Sequence, residues 1–228
     1  MRRIKSVFRR LWLRGHGIRE EFSCTRLDLG VGRGSWCVCP DALNAQSIVY
    51  SVGIGADISF DLALISRFQA VVHAFDPTPR ARDWIRTQTV SSRFVYHDYG
   101  IAAYDGMLAF HAPKNPGSAH FSPVPRYRGA PLCQVAAPVK TLKTIMAMLG
   151  HARLDVLKLD IEGGEYDVIK NILADRLSIR QLLIEFHHNY RTIRFNQTLE
   201  ALRQLREAGF RIFRISPRGL EFSLVRVG

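Results

Sequence analysis

The stretch Asp155 to Glu165, DVLKLDIEGGE, constrains the fold of this chain more than any other. An apolar run holding a single lysine, Lys158, gives way to three carboxylates, Asp160, Glu162 and Glu165, set around Gly163 and Gly164. That pattern marks a buried parallel strand passing into a helix at the carboxyl edge of an α/β sheet, where ligands bind. Strand alternation puts Lys158 and Asp160 on one face. A lysine inside a buried strand must find an anion or lose its charge. The run Leu182 to His188, LLIEFHH, reads as the neighbouring strand, with Glu185 and His187 sharing a face. With the two strands parallel and in register, Lys158 meets Glu185 as a structural ion pair. Asp160 then comes near His187 as the candidate chemical pair. The alternative is that all four belong to a polar network that only supports the fold.

The rest of the chain repeats the alternation of strand and helix. Ile48–Val52 reads as the first strand, followed by Gly53-Ile-Gly55-Ala-Asp57 and an amphipathic segment from Ile58 to Phe68. Ala70–Phe75 is a second strand closing on Asp76-Pro77, and Pro79–Thr87 a helix with proline at an early position. The distance from Gly53 to Asp76 is that between a glycine turn and the acid that grips a ribose. Phe94–His97 is a third strand, and Asp98 after it is placed to reach an adenine amino group. Met107–His111 and Gln134–Val139 read as short extra strands. Between them, Pro113 to Pro131 holds Lys114, His120, Ser122, Arg126, Tyr127 and Arg128. It is too long for a plain connector, so it reads as a substrate lid or binding loop, with a surface excursion as the alternative. Thr141–Leu149, Glu165–Ala174 and Gln197–Ala208 follow as helices, and Phe210–Ile215 with Leu220–Val227 as a closing antiparallel hairpin. Five β/α alternations and a terminal hairpin are the order of a Rossmann-like methyltransferase fold: α/β, with a mainly parallel central sheet.

At 228 residues the chain suits one such domain with a modest extension. The segments expected are a basic amphipathic helix over 1–20, a loop-rich lead-in over 21–47 and the main domain over 48–228. Of the formal charge of +12, residues 1–19 supply seven cations and no acid. Ile4, Val7, Phe8, Leu11 and Trp12 there share one helical face, ringed by arginines and Lys5. Such a helix docks on its own domain or a partner, or lies peripherally on an anionic membrane. Arginines interrupt it throughout, so neither a secretory signal nor a membrane span fits, and the expectation is a soluble cytoplasmic protein. Cys24, Cys37, Cys39 and Cys133 lack zinc-site spacing and are expected as free thiols.

Taken together, Gly53…Phe75-Asp76-Pro77, Lys158-Leu-Asp160-Ile-Glu162-Gly163-Gly164-Glu165 and Ile184-Glu185-Phe-His187 resemble the FkbM-type methyltransferases. Gly34-Ser-Trp36-Cys37-Val-Cys39, the run Val49 to Gly55 and Phe75-Asp76-Pro77-Thr78 are similar to the related methyltransferase-like group. The likeness covers about residues 24 to 215. It implies an S-adenosylmethionine-dependent enzyme that methylates a hydroxyl of a sugar or other small molecule. By position it implies Gly53 and Gly55 under the methionine part of the cofactor and Asp76 on its ribose. Two departures stand out: Ser51 occupies a strand position where FkbM-type chains usually carry an acid, and Asp57 replaces a later glycine.

A hydroxyl acceptor needs a general base, and Asp160 or His187 fills that role. No metal is required by this reading. A variant gives Asp160, Glu162 and Glu165 a magnesium ion instead, though acids at a helix start also complement its dipole. The reading from another class is a non-catalytic binding module tethered by its basic N-terminus to a membrane or anionic polymer. Nucleic-acid methylation is disfavoured, because the cations cluster at one end and no Asn-Pro-Pro-Tyr signature is present.

Overall fold

In the computed structural model, residues 2–113, 115, 118–126 and 134–227 are described. Lys114, Tyr127, Arg128 and Cys133 lie outside them. Helix α1 (Arg2–Gly15) precedes a two-stranded antiparallel sheet of β1 (Leu27–Leu29) and β2 (Trp36–Val38). The lead-in over 21–47, expected to be loop-rich, holds these two short strands. Trp36 is buried in one cluster with Val49 of the first central strand.

The main layer is then built from β3 (Ile48–Val52), α2 (Ser59–Phe68), β4 (Val71–Phe75), α3 (Pro79–Ile85) and β5 (Phe94–His97). A side sheet follows, of β6 (Gly100–Ile101), β7 (Gly106–His111) and β8 (Gln134–Lys140). The chain re-enters the main layer through α4 (Leu142–Leu149), β9 (Leu154–Leu159), α5 (Glu165–Ala174) and β10 (Ile179–Glu185). It ends with α6 (Phe195–Glu207), β11 (Phe210–Ile215) and β12 (Glu221–Arg226).

The seven-stranded sheet has the order β11-β12-β10-β9-β3-β4-β5. From β5 to β10 every pairing is parallel, and only β12 runs against the rest, antiparallel to both β10 and β11. The chain moves outward from β3 to β5 and then returns to lay β9 against the free side of β3. Such a reversal leaves a crevice at the carboxyl ends of the two central strands.

Alternation divides the core. Tyr50, Val52, Leu157, Leu159, Leu182 and Ile184 pack on one face with Ile145, Ile169 and Leu205 of α4, α5 and α6. Val49, Val72, Val156 and Leu183 pack on the other with Phe60 and Leu64 of α2. Lys158 falls on this second face and is almost fully buried.

The expected Lys158–Glu185 ion pair does not form. Lys158 lies opposite Leu183, and Leu159 opposite Ile184, so Glu185 comes alongside Asp160 instead. The ammonium group of Lys158 donates to the carbonyls of Val52 and Gly53 at 3.3 and 3.2 Å and sits 5.5 Å from the Trp36 ring centre. Glu185 takes its ion pair from Arg218 in the β11–β12 turn, at 3.0 Å. Strand-end carbonyls satisfied the lysine more cheaply than a second buried charge would have.

Candidate active site

The carboxyl ends of β3, β4 and β9 open onto one cavity of about 770 Å³, within the range of small-molecule and cofactor sites. Gly53, Gly55, Asp76, Asp160 and His187 all line it. Asp98 does not: it is exposed one residue beyond β5, and Gly100 to Tyr104 take the wall where it was expected.

Backbone geometry explains the glycine turn. Gly53 has φ of +75°, and a Cβ there would lie 1.7 Å from the carbonyl oxygen of Asp160. Its hydrogen lets β3 and β9 close together at the cavity floor. Gly55, also at positive φ, turns its N–H to the Asp76 carboxylate at 2.8 Å. Asp76 accepts further bonds from the Thr78 N–H and hydroxyl at 3.0 and 2.6 Å. Burial raises its pKa, against the hydrogen bonds of Thr78 and Gly55. The oxygen facing Gly55 holds one hydrogen bond and keeps acceptor capacity for a ligand hydroxyl.

The second half of the cavity wall is a charged cluster. His187, almost fully buried, makes a hydrogen bond from Nδ1 to Glu165 at 2.9 Å. Glu165 is itself buried and also accepts the N–H groups of Ile161 and Gly163, each at 3.1 Å. That fixes the imidazole and leaves Nε2 toward the cavity, 3.8 Å from Asp160 and 3.4 Å from Glu162. Burial works against a charged imidazole, yet Glu165, Asp160 and Glu162 outweigh it and lift the His187 pKa to about 10. Asp160 is pushed upward, by burial first and then by Glu162 and Glu165, against Lys158 and His187. Burial and neighbouring Asp160 bring Glu185 to about 7.

Glu162 ties the long loop to this cluster. His120 reaches it at 2.7 Å, Arg126 at 2.8 Å, and the Tyr190 hydroxyl also bonds to it. Burial opposes its charge, but His120, His187, Arg126 and Tyr190 hold its pKa down to about 2. Ser122 Oγ donates to the Glu162 carbonyl at 2.6 Å. Ser118 to Phe121, Pro123, Val124 and Arg126 thereby form part of the cavity wall, in the stretch whose length marked it as a lid or binding loop.

Three residues matter more than the sequence indicated. Glu165 orients His187 and does not line the cavity, which removes it from the proposed magnesium set. Asp61 lies buried in the first turn of α2 and lines the cavity, its pKa raised to about 6 by burial against the pull of Lys158. It supplies a carboxylate close to where the strand carries Ser51. Arg218 brings a guanidinium to Glu185 from a turn 33 residues away. Asp160, Glu185 and His187 do present ligand-type atoms within 4.8 Å of one another, but Arg218 already supplies a positive charge there. A carboxylate paired with arginine gains less from a metal. Only the Gly-Gly-Glu spacing hinted at Glu165, while Asp61 and Arg218 carried no sequence signal.

A model described as "Methyltransferase FkbM domain" matches residues 30–212. The human probable methyltransferase-like protein 24 is 25% identical over 198 residues, covering 78% of this chain and 47% of that protein. The rat protein of the same name is 26% identical over 206 residues, covering 82% and 50%. The chain therefore spans about half the length of the curated relatives it matches. Among solved structures, the Methanococcus jannaschii fibrillarin pre-rRNA processing protein aligns with a TM-score of 0.50 at 11% identity. It covers 89% of this chain and 90% of that one, a likeness of fold alone.

Proposed function

Because the chain belongs to the FkbM methyltransferase family, we propose that it moves a methyl group from S-adenosylmethionine to a hydroxyl of a sugar or other small molecule. The observation that carries this reading is the single cavity shared by the glycine turn, Asp76 and the Asp160–His187 pair. Space above Gly53 is open, and Asp76 retains acceptor capacity, so the residues present fit an adenosyl ligand. Gly53 and Gly55 would underlie its methionine part and Asp76 its ribose. Bound there, the cofactor supplies an electrophilic methyl group.

Methyl transfer is an in-line displacement, so the protein's main task is to hold donor and acceptor in contact. Asp160 would take the proton of an acceptor hydroxyl held beside that methyl group. Burial raises the Asp160 pKa and so strengthens it as a base. His187, held cationic by Glu165, sits 3.8 Å from it and keeps enough of the carboxylate ionised to act. Of the two expected bases, Asp160 is therefore the proton acceptor and His187 its positioning partner. Glu162, Arg126 and His120 tie the loop into the cavity wall beside Asp160.

Calorimetry with S-adenosylmethionine, followed by a transfer screen over sugars, lipids and peptides, tests the reading. Absence of heat at millimolar cofactor would replace it with a binding module.

A further inference from the structure

Helix α1 carries an apolar strip that its own domain does not cover. Phe8 is 67% exposed, Leu11 56% and Trp12 47%, and their spacing puts them on one helical face. The helix is nonetheless docked: Leu13 and Ile18 are buried in the main core. Arg9 donates to the Arg218 carbonyl at 2.6 Å, and the Trp12 ring packs tilted against Phe195, with ring centres 4.2 Å apart. So the strip faces outward on a helix held in place.

Charge indicates what meets it. Residues 1–19 hold Arg2, Arg3, Lys5, Arg9, Arg10, Arg14 and Arg19 without one acid, and Arg9, Arg10, Arg14 and Arg19 are exposed. A nucleic acid would answer the cations and leave the aromatic strip in water. A protein groove would answer the strip and leave the cations without a partner of their own. An anionic bilayer answers both, taking apolar side chains below its headgroups and cations among them. The helix also sits at the rim of the cavity, since the Arg218 it grips lines that cavity and pairs with Glu185.

We propose that α1 docks the protein onto anionic phospholipid surfaces, with the cavity rim at Arg218 held beside the headgroups. The docking stands apart from methyl transfer, and its test needs no turnover.

The test is co-sedimentation of the full chain with vesicles of phosphatidylcholine alone or with a quarter phosphatidylserine. Expected is binding to the anionic vesicles that weakens in high salt. Phe8→Glu with Leu11→Glu should abolish it with an unchanged melting curve, and Arg10→Ala or Arg14→Ala should each weaken it roughly fivefold. Equal binding to both vesicle types, or full binding by the Phe8/Leu11 variant, would overturn the proposal. So would failure to sediment with vesicles by a chain that retards an oligonucleotide.

Discussion

The Cβ that Gly53 lacks would stand 1.7 Å from the carbonyl oxygen of Asp160. The start of the glycine turn and the start of the acidic cluster are thus one contact, and the cavity floor exists because no side chain intervenes. Gly53→Ala must push β3 and β9 apart and adopt φ of +75° as well. We expect destabilisation on the order of 3 kcal/mol or more. Chemical denaturation measures it, and a variant as stable as the parent would show that the two strand ends do not pack this way.

Asp160→Asn removes the proposed proton acceptor and keeps its shape. Turnover should fall by about 10²–10⁴ while cofactor affinity stays within a few fold. His187→Ala should also lower turnover. Near-normal rates in both variants would eliminate the assignment.

The sign of the pH dependence follows from His187. Its folded pKa of about 10 lies above the ordinary 6.5, so the native state binds the proton more tightly. The stabilisation is complete below about pH 6.5 and disappears as pH rises toward 10, a loss of several kcal/mol. Denaturation followed across this window should show the fall in the parent and a flatter profile in His187→Gln. Parallel slopes would place the proton elsewhere.

Glu162→Gln weakens the charge-assisted bonds to His120 and Arg126. Hydrogen exchange over residues 118–126 should accelerate roughly tenfold, in line with the loss of one such bond. The acceptor KM should rise more than kcat falls. Unchanged exchange would mean that Ser122 and the backbone hold the loop without this carboxylate.

A chelator should leave turnover unaltered, because Arg218 and a cationic His187 already balance Glu185 and Asp160. Loss of activity restored by magnesium would reverse that assignment.

Sequence determined the local and periodic features. The strands Phe94–His97 and Phe210–Ile215 and the helix Glu165–Ala174 fall where pattern and glycine punctuation put them. The carboxyl-edge positions of Gly53, Asp76, Asp160 and His187 follow from where each apolar run ends, which needs no knowledge of neighbours. Tertiary structure decided the partners. A shift of register between β9 and β10 gave Lys158 to backbone carbonyls and Glu185 to Arg218. Glu165 became the support of His187 only because α5 begins beside the end of β10. A side chain's face is set by its own strand, but its counter-charge is set by whichever element packs opposite, and that choice is made by the whole core at once.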